Sequence, residues 1–226
     1  LNGFDAEHRM DEARLEVYAR RVSDLAVAWR DDLTILLGAE ADWIPGSDGY
    51  TREILERYPF DQVHMAVHHI ATWPEGHWAF SYDIPGRTPD ELWQDYLGAV
   101  LEGIRTGLFD VLAHADLIKR PRMEMGEGAL ALREEILMEL AVRGMILEVN
   151  TSGTRRVVAE SYPAVDWIRD AVARGIPLLP GSDAHQPGHV AWRFPTVMEP
   201  LAGLPGITWG HFRGRQRVLW RPDGTG

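Results

Sequence analysis

Apolar and polar positions along the chain follow two different periods, which predicts strands separated by helices. Five apolar runs with strand character each end in polar residues, and they lie at Leu33–Asp42, Gln62–His69, Val111–Asp116, Met145–Thr151 and Ile176–His185. Helical spacing of apolar residues marks the stretches 11–30, 88–107, 128–143 and 164–174. After Phe194 we expect one more helix-like stretch and a last short strand near Gln216–Trp220. Strands that alternate with helices favour a parallel sheet or barrel of β/α units.

Two helix boundaries and one long loop are marked by individual residues. Thr88 suits the N-cap of a helix whose first position is Pro89, and Glu91 completes a capping box. Gly144 is the expected C-cap of the helix over 128–143. The segment Trp73–Arg87 is rich in Pro, Gly and aromatic residues, which indicates a long functional loop rather than a boundary between domains. We therefore expect residues 1–226 to form a single domain.

Composition narrows the class of protein. A chain of 226 residues, 45% hydrophobic and 25% charged, is typical of one globular domain. The net charge of −11 argues against a protein that grips nucleic acid phosphates broadly. No apolar run is long enough to span a bilayer. The chain has no cysteine, which excludes disulfide and thiolate chemistry and fits a reducing cytoplasm.

The candidate metal-binding and catalytic residues lie where the expected strands end. These ends carry Glu40, His68 and His69, His114 and Asp116, Asn150, and Asp183 and His185. In β/α barrels, groups at the C-terminal ends of strands converge on one site. Imidazole and carboxylate donors together suit divalent Zn, Mn or Fe. A chance placement of such a residue in every strand is the alternative, whereas a polynuclear metal site accounts for all of them together.

Side-chain alternation helps to choose among the histidines. His68 shares a strand face with the small Ala66, which suits the crowded interior, so His68 is the favoured ligand. His69 lies on the other face and is expected to support or line the site. His64 has the parity of His68 but lies deeper, where a core position is expected. The remaining histidines are expected at the surface: His8, His77, His189 and His211.

The motifs around these residues resemble a known family. They are Gly-Ala-Glu-Ala-Asp, Phe-Asp-Gln-Val-His-Met-Ala-Val-His, Leu-Ala-His-Ala-Asp-Leu-Ile-Lys-Arg, Glu-Val-Asn-Thr-Ser-Gly-Thr-Arg and Gly-Ser-Asp-Ala-His. Together they resemble the polymerase-and-histidinol-phosphatase (PHP) superfamily, and within it the monofunctional histidinol-phosphatases of bacterial histidine biosynthesis. The resemblance covers about residues 30–195.

The resemblance implies a fold and a metal set. The fold is an α/β protein, a distorted (β/α)7 TIM-like barrel with two or three divalent metals (Zn, Fe or Mn) at its C-terminal mouth. Glu40, His68 and His114 would hold one metal, Asp183 would join Glu40 on a second, and His185 would serve a third. The family also has a His-x-His strand and an Asp-His strand that are not found here. Because the sequence begins at Leu1, we expect the first one or two β/α units to be absent from it.

The implied activity is hydrolysis of L-histidinol phosphate to L-histidinol and phosphate. Arg155 and Arg156 follow the fourth strand and could fork onto phosphate oxygens, although a surface role is equally plausible for Arg156. Lys119 and Arg120 are weaker candidates for the same role. The expected supporting residues around the metals are His69, Asp116 and Asn150. In the long loop, Trp78, Glu75 and Asp83 are candidates for contacts with the imidazole and amine of the substrate.

The expected partner is a small phosphorylated metabolite, with no nucleic acid and no membrane, in the cytoplasm. Two alternatives stay open. One is a PHP-type phosphoesterase that acts on another small phosphate ester or a nucleotide. The other is a catalytically inactive PHP scaffold.

Overall fold

The computed structural model describes residues 10–74, 77–81 and 83–222. The helices in these ranges are α1 (Glu12–Ala28), α2 (Asp48–Arg57), α3 (Pro89–Arg105), α4 (Glu127–Arg143), α5 (Val165–Ala173) and α6 (Phe194–Ala202). The strands are β1 (Gly38–Asp42), β2 (Gln62–Ala66), β3 (Val111–Leu112), β4 (Ile146–Asn150), β5 (Leu178–Gly181), β6 (Trp209–Arg213) and β7 (Gln216–Trp220). Short 3₁₀ turns lie at Leu117–Lys119, Thr151–Arg155 and Pro187–His189.

All seven strands belong to one sheet in which each strand lies beside its neighbours in the sequence. The order runs from β1 to β7, with β1 to β6 parallel and β7 antiparallel to β6. This order is that of a β/α barrel, and the predicted α/β class of TIM-like type is confirmed. Because the strands are parallel, their C-terminal ends face the same side of the molecule, and the candidate residues follow those ends.

The core lies between the sheet and the helices. All five residues of β4 are buried, as expected for a parallel strand covered on both faces. Helix α3 buries Trp93, Tyr96 and Leu97 against the sheet and packs along α4. None of the described helices combines the length and apolar character that crossing a membrane would require.

The strands are shorter than the sequence predicts, and the polar residues lie beyond them. β2 ends at Ala66, so His68 lies in the turn that follows. β3 contains only Val111 and Leu112, and His114 has a φ of 27° that cannot continue a strand. Asp183 likewise lies two residues after β5, with a φ of 47°. The chain leaves the sheet in order to present these side chains at its edge.

Some of the other features of the fold match the sequence predictions, and two elements were not predicted. The capping box of Thr88 and Glu91 is present, and Gly144 ends α4 in the left-handed conformation, both as predicted. Helix α2 and strand β6 were not predicted. β6 forms a hairpin with β7 through Gly214 and Arg215, whose φ values of 56° and 61° fit a tight two-residue turn.

Two glycines in α3 provide a test of the core packing. A Cβ at Gly103 would lie 2.5 Å from Met65 Sδ and 2.8 Å from Trp43 Cγ, whereas a Cβ at Gly98 would meet nothing within 4 Å. We expect Gly103→Ala to lower the free energy of unfolding by about 1–3 kcal/mol through overpacking. Gly98→Ala should raise it by about 0.5–1 kcal/mol through helix propensity. Urea denaturation of both variants measures the difference, and equal effects would contradict this packing.

Candidate functional site

A cleft of about 960 Å³ opens at the C-terminal ends of β1 and β2. One side is apolar and is formed by residues of α1 and α2. The other side is polar, and its lining includes Glu40, Asp42, His64, His68, Trp78, Glu148, Asp183 and His185. Four of the five predicted metal ligands therefore border the same cleft, and the fifth, His114, contacts Glu40 from below.

Three of these side chains form a compact donor cluster. Glu40 Oε1 lies 3.3 Å from His114 Nε2 and 3.6 Å from His68 Nε2. All three donor atoms lie within 4.8 Å of one another. Two donors bound to one Zn²⁺ at about 2.0–2.1 Å would be about 3.4 Å apart at a tetrahedral angle. The spacing and chemistry of Glu40, His68 and His114 therefore fit a divalent metal.

Asp42 orients one of the imidazoles. Its Oδ1 lies 2.5 Å from His68 Nδ1, so the carboxylate accepts the Nδ1–H proton. This leaves Nε2, 3.6 Å from Glu40 Oε1, with a lone pair available to a metal, which is the tautomer that a metal ligand needs. Asp42 was missed by the sequence reasoning, although it shares the strand face of Glu40 in the same motif.

Glu148 supports the other imidazole through the backbone. The backbone N–H of His114 donates to Glu148 Oε2 at 3.0 Å, and Asn150 Nδ2 donates to the same oxygen at 3.1 Å. Gly181 has no side chain that would collide with the Glu148 carboxylate. Glu148 was also missed, and its signal was a carboxylate in the middle of the apolar run 146–150, on the same face as Asn150.

The charges of Glu40 and His114 stabilise each other. Burial favours the neutral form of Glu40, but His114, followed by His68 and His64, outweighs it and lowers the pKa of Glu40 to about 2. Burial likewise opposes the charge of His114, but Glu40, Glu148 and Asp183 together raise the pKa of His114 to about 9. His114 Nδ1 is buried without a hydrogen-bond partner, so the ring makes its polar contact through Nε2. In the metal-free protein the cluster is an ion pair.

Asp183 and His185 lie further out than the three-donor cluster. The His185 side chain is 82% exposed, and its Nδ1 donates to the backbone carbonyl of Asp183 at 3.1 Å. Asp183 Oδ1 lies 3.3 Å from the same nitrogen. Among the described residues, only Glu40, His68 and His114 meet at metal-ligand spacing.

Two of the four predicted phosphate ligands make close contacts within the protein. Lys119 Nζ contacts Asp116 Oδ2 at 2.8 Å, Glu160 Oε1 at 2.9 Å and the Ser161 carbonyl at 2.8 Å. These three acceptors occupy all three protons of the ammonium. The guanidinium of Arg155 donates to the carbonyls of Ser182 and Asp183, both at 3.0 Å. Lys119 therefore has no proton left for a phosphate. Arg155 Nη1 has no hydrogen-bond partner among the described residues, so the phosphate role of Arg155 stays a prediction.

Arg120 and Arg156 form a cationic rim beside Asp183. Burial, followed by the charge of Arg156, lowers the pKa of Arg120, and Tyr162 and Asp183 act in the opposite direction. Burial, followed by Arg155, His185 and Arg156, lowers the pKa of His189 nearby. Arg156 is exposed. Two cations close enough for one to lower the pKa of the other are a suitable arrangement for binding a phosphate.

The remaining predicted residues occupy different surroundings. His69 Nδ1 donates to the His77 carbonyl at 3.2 Å, and its ring packs 4.5 Å from that of Trp78. Trp78 stacks on Phe80 at 5.7 Å, and the Arg120 guanidinium lies 4.1 Å over the Phe80 ring. Trp78 borders the cleft, so this stack provides an aromatic wall there.

Some of the other sequence expectations need correction, and two fall on residues outside the described ranges. His64 lines the cleft and contacts the Gln62 amide at 3.0 Å, so it is not enclosed in the core. Asp116 accepts from Lys119 and from the N–H of Ala164 at 2.9 Å, and it makes no hydrogen bond to a candidate ligand side chain. Asp83 is exposed, and Glu75 and His8 lie outside the described residues.

Comparison with known proteins shows which family this chain matches. Residues 7–152 match the family described as PHP domain. The chain is 35% identical over 205 residues to a protein of Deinococcus radiodurans named "Probable histidinol-phosphatase", covering 91% of this chain and 78% of that protein. It is 29% identical over 211 residues to a Bacillus subtilis protein named "Histidinol-phosphatase", covering 84% of this chain and 78% of the relative.

A solved structure has the same fold. It is the crystal structure of a histidinol phosphate phosphatase from Lactococcus lactis, complexed with zinc, L-histidinol and phosphate. The similarity has a TM-score of 0.71 and a sequence identity of 19%, and it covers 90% of this chain and 79% of that one.

The contact of Asp42 with His68 predicts its effect on metal binding. Asp42→Asn removes the carboxylate charge that holds the Nδ1–H of His68, and the amide can turn an N–H group towards Nδ1 and so favour the other tautomer. We expect zinc affinity to fall about 10–100-fold, with the fold retained. Asp24→Asn, on the exposed side of α1, is the matched control and should leave affinity unchanged. Competition with a chromogenic chelator measures both values, and equal affinities would contradict the role of Asp42.

The raised pKa of His114 predicts a pH dependence of the metal-free protein. Its ordinary value is 6.5 and its value in the fold is about 9. The ion pair with Glu40 therefore contributes stability fully below pH 6.5, and this stability is lost as the pH rises through about 9. NMR titration of the imidazole carbons checks the pKa, and Glu40→Gln should lower it. A neutral His114 at pH 7 in the metal-free protein would refute this electrostatic arrangement.

Proposed function

The chain belongs to the PHP domain family and is of its histidinol-phosphatase type, and on this premise we propose that it hydrolyses L-histidinol phosphate to L-histidinol and phosphate. The observation that carries the proposal is the cluster of Glu40, His68 and His114, whose donor atoms meet at metal-ligand spacing beside a large cleft. The names of the Deinococcus radiodurans and Bacillus subtilis relatives support the choice of substrate.

Glu40, His68 and His114 are proposed to hold one divalent metal, of the class Zn, Fe or Mn. Asp183 and His185 are proposed to bind at most two further metals on the outer side of the cleft. When bound, such metals supply positive charge to the phosphate oxygens and lower the pKa of the attacking water. The neutral imidazoles add no negative charge, so the site stays attractive to a phosphate dianion although the whole chain is acidic.

Arg120 and Arg156 are proposed to bind the phosphate, since neither is held by a carboxylate in the described contacts. Arg155 is proposed to act as a positioning residue, because its bonds to Ser182 and Asp183 fix the backbone of the turn that carries Asp183. In the reaction, the water oxygen bonds to phosphorus, the ester P–O bond breaks and a proton passes to the leaving oxygen. The two arginines offset the negative charge that moves onto the phosphate oxygens.

The remaining assignments concern the organic part of the substrate and the domain. His69 and Asn150 are proposed as supporting residues, through the aromatic wall and through Glu148 respectively. The wall of Trp78 and Phe80 borders the space beside the metal cluster, where a planar imidazole fits by stacking. Residues 1–226 are proposed to form one domain, because one continuous sheet carries all the candidate residues.

A panel of phosphate monoesters tests the substrate. With Zn²⁺ or Mn²⁺ added, we expect kcat/KM for L-histidinol phosphate to exceed that for glycerol 3-phosphate and a nucleoside monophosphate by about tenfold or more, because only the first offers an imidazole and an amine. A preference for the nucleotide would favour the alternative phosphoesterase. No hydrolysis of any ester by the metal-loaded protein would favour the inactive scaffold.

The cationic rim makes a separate prediction about binding. Arg120→Ala and Arg156→Ala should each raise KM about tenfold, which corresponds to about 1.4 kcal/mol for a lost charge-assisted contact. Bound metal should be unchanged, because neither residue is a ligand. Arg169→Ala, an exposed arginine on α5, is the control and should match the unmodified protein. Unchanged KM in both rim variants would remove these residues from the phosphate site.

A further inference from the structure

A second cavity lies apart from the catalytic cleft. It is an open surface cavity of about 390 Å³, lined by the segment after β3, the start of α3, the connection between β4 and α5, and the start of α5. Its lining shares no residue with that of the cleft. Trp93, Trp167, Met123 and Met125 give it an apolar wall. A cavity of this size holds a small organic molecule.

The charged lining of this cavity is predominantly acidic. Four carboxylates face it, from Asp116, Glu124, Glu160 and Asp166, against the two cations Lys119 and Arg122. Lys119 is already neutralised by Asp116 and Glu160, at 2.8 and 2.9 Å. Arg133 lies behind the wall, 3.8 Å from Asp166, but it is held more closely by Asp170. The net charge of the lining favours a cation.

One acceptor in the lining of the cavity has no hydrogen-bond partner among the described residues. Asp116 is 1% exposed, and its Oδ2 accepts from Lys119 Nζ and from the Ala164 N–H. Its Oδ1 is buried and makes no hydrogen bond. A buried carboxylate oxygen without a partner costs free energy unless a donor reaches it. An N–H group of a ligand in the cavity would supply that donor.

We propose that this cavity binds a small organic cation, an amine carried on a flat or aliphatic body. The N–H group would bond to Asp116 Oδ1, and the body would lie against Trp93 and the two methionines. The bound cation would contact Glu160, which belongs to the connection between β4 and α5. That connection also carries Arg155 and Arg156 of the catalytic rim.

Titration of the metal-loaded protein with benzylamine tests the proposal, with benzyl alcohol as the uncharged probe of similar shape. NMR of the tryptophan indole N–H groups locates the binding. We expect saturable shifts at Trp93 and Trp167, and binding of benzyl alcohol at least about fivefold weaker. The double variant Glu124→Gln with Asp166→Asn should weaken benzylamine by a similar factor, and Glu127→Gln, an exposed acid on α4, should not.

A cavity-filling variant tests the same site without changing its charge. Val158→Trp places an indole in the cavity and should abolish benzylamine binding while metal content and phosphatase activity persist. Shifts confined to Trp78 of the catalytic cleft would overturn the proposal, as would equal binding of benzyl alcohol or the absence of saturable binding. Because the readout is the indole shift, these outcomes are separate from any failure of the proposed phosphatase activity.

Discussion

The contact of one carboxylate with two imidazoles is the constraint on which the rest of the site depends. Glu40 lies on β1, and His68 and His114 follow β2 and β3, so three adjacent strand ends must remain in register to bring them together. In that register Glu40 pairs with His64, and His64 pairs with Val111. A slip of one residue in any strand would turn a donor to the opposite face. The register of the parallel sheet therefore brings the three donors together.

A second set of buried polar groups holds the donors in orientation. Asp42 fixes the ring of His68, and Glu148 fixes the backbone of His114 in a left-handed conformation. Such a conformation in a residue other than glycine costs about 1–3 kcal/mol and persists only where the surroundings enforce it. The hydrogen bond from Asn150 to Glu148 satisfies part of the buried carboxylate. The strained backbone of His114 and the buried charge of Glu148 thus lie beside the donor cluster.

The sequence predicts the elements and the residues at the strand ends, because both depend on local patterns. It does not predict contacts between residues far apart in the chain. Alternation and helical spacing indicated the α/β class, and polar residues after apolar runs indicated which strand ends carry donors. The partners of Lys119 could not be predicted, because Ser161 lies 42 residues further along the chain. The contacts of Arg155 with the turn at Asp183 could not be predicted for the same reason, since they depend on the packing of β4 beside β5. Distant contacts of this kind are decided by tertiary structure, which periodicity does not report.

Glu40, His68 and His114 are proposed to bind one metal ion together. An anomalous difference map, measured on crystals of the zinc-loaded protein at the zinc absorption edge, tests it most directly. The account predicts a peak within about 2.0–2.2 Å of Glu40 Oε1, His68 Nε2 and His114 Nε2. A zinc peak bound elsewhere, with these three side chains free of metal, would contradict it.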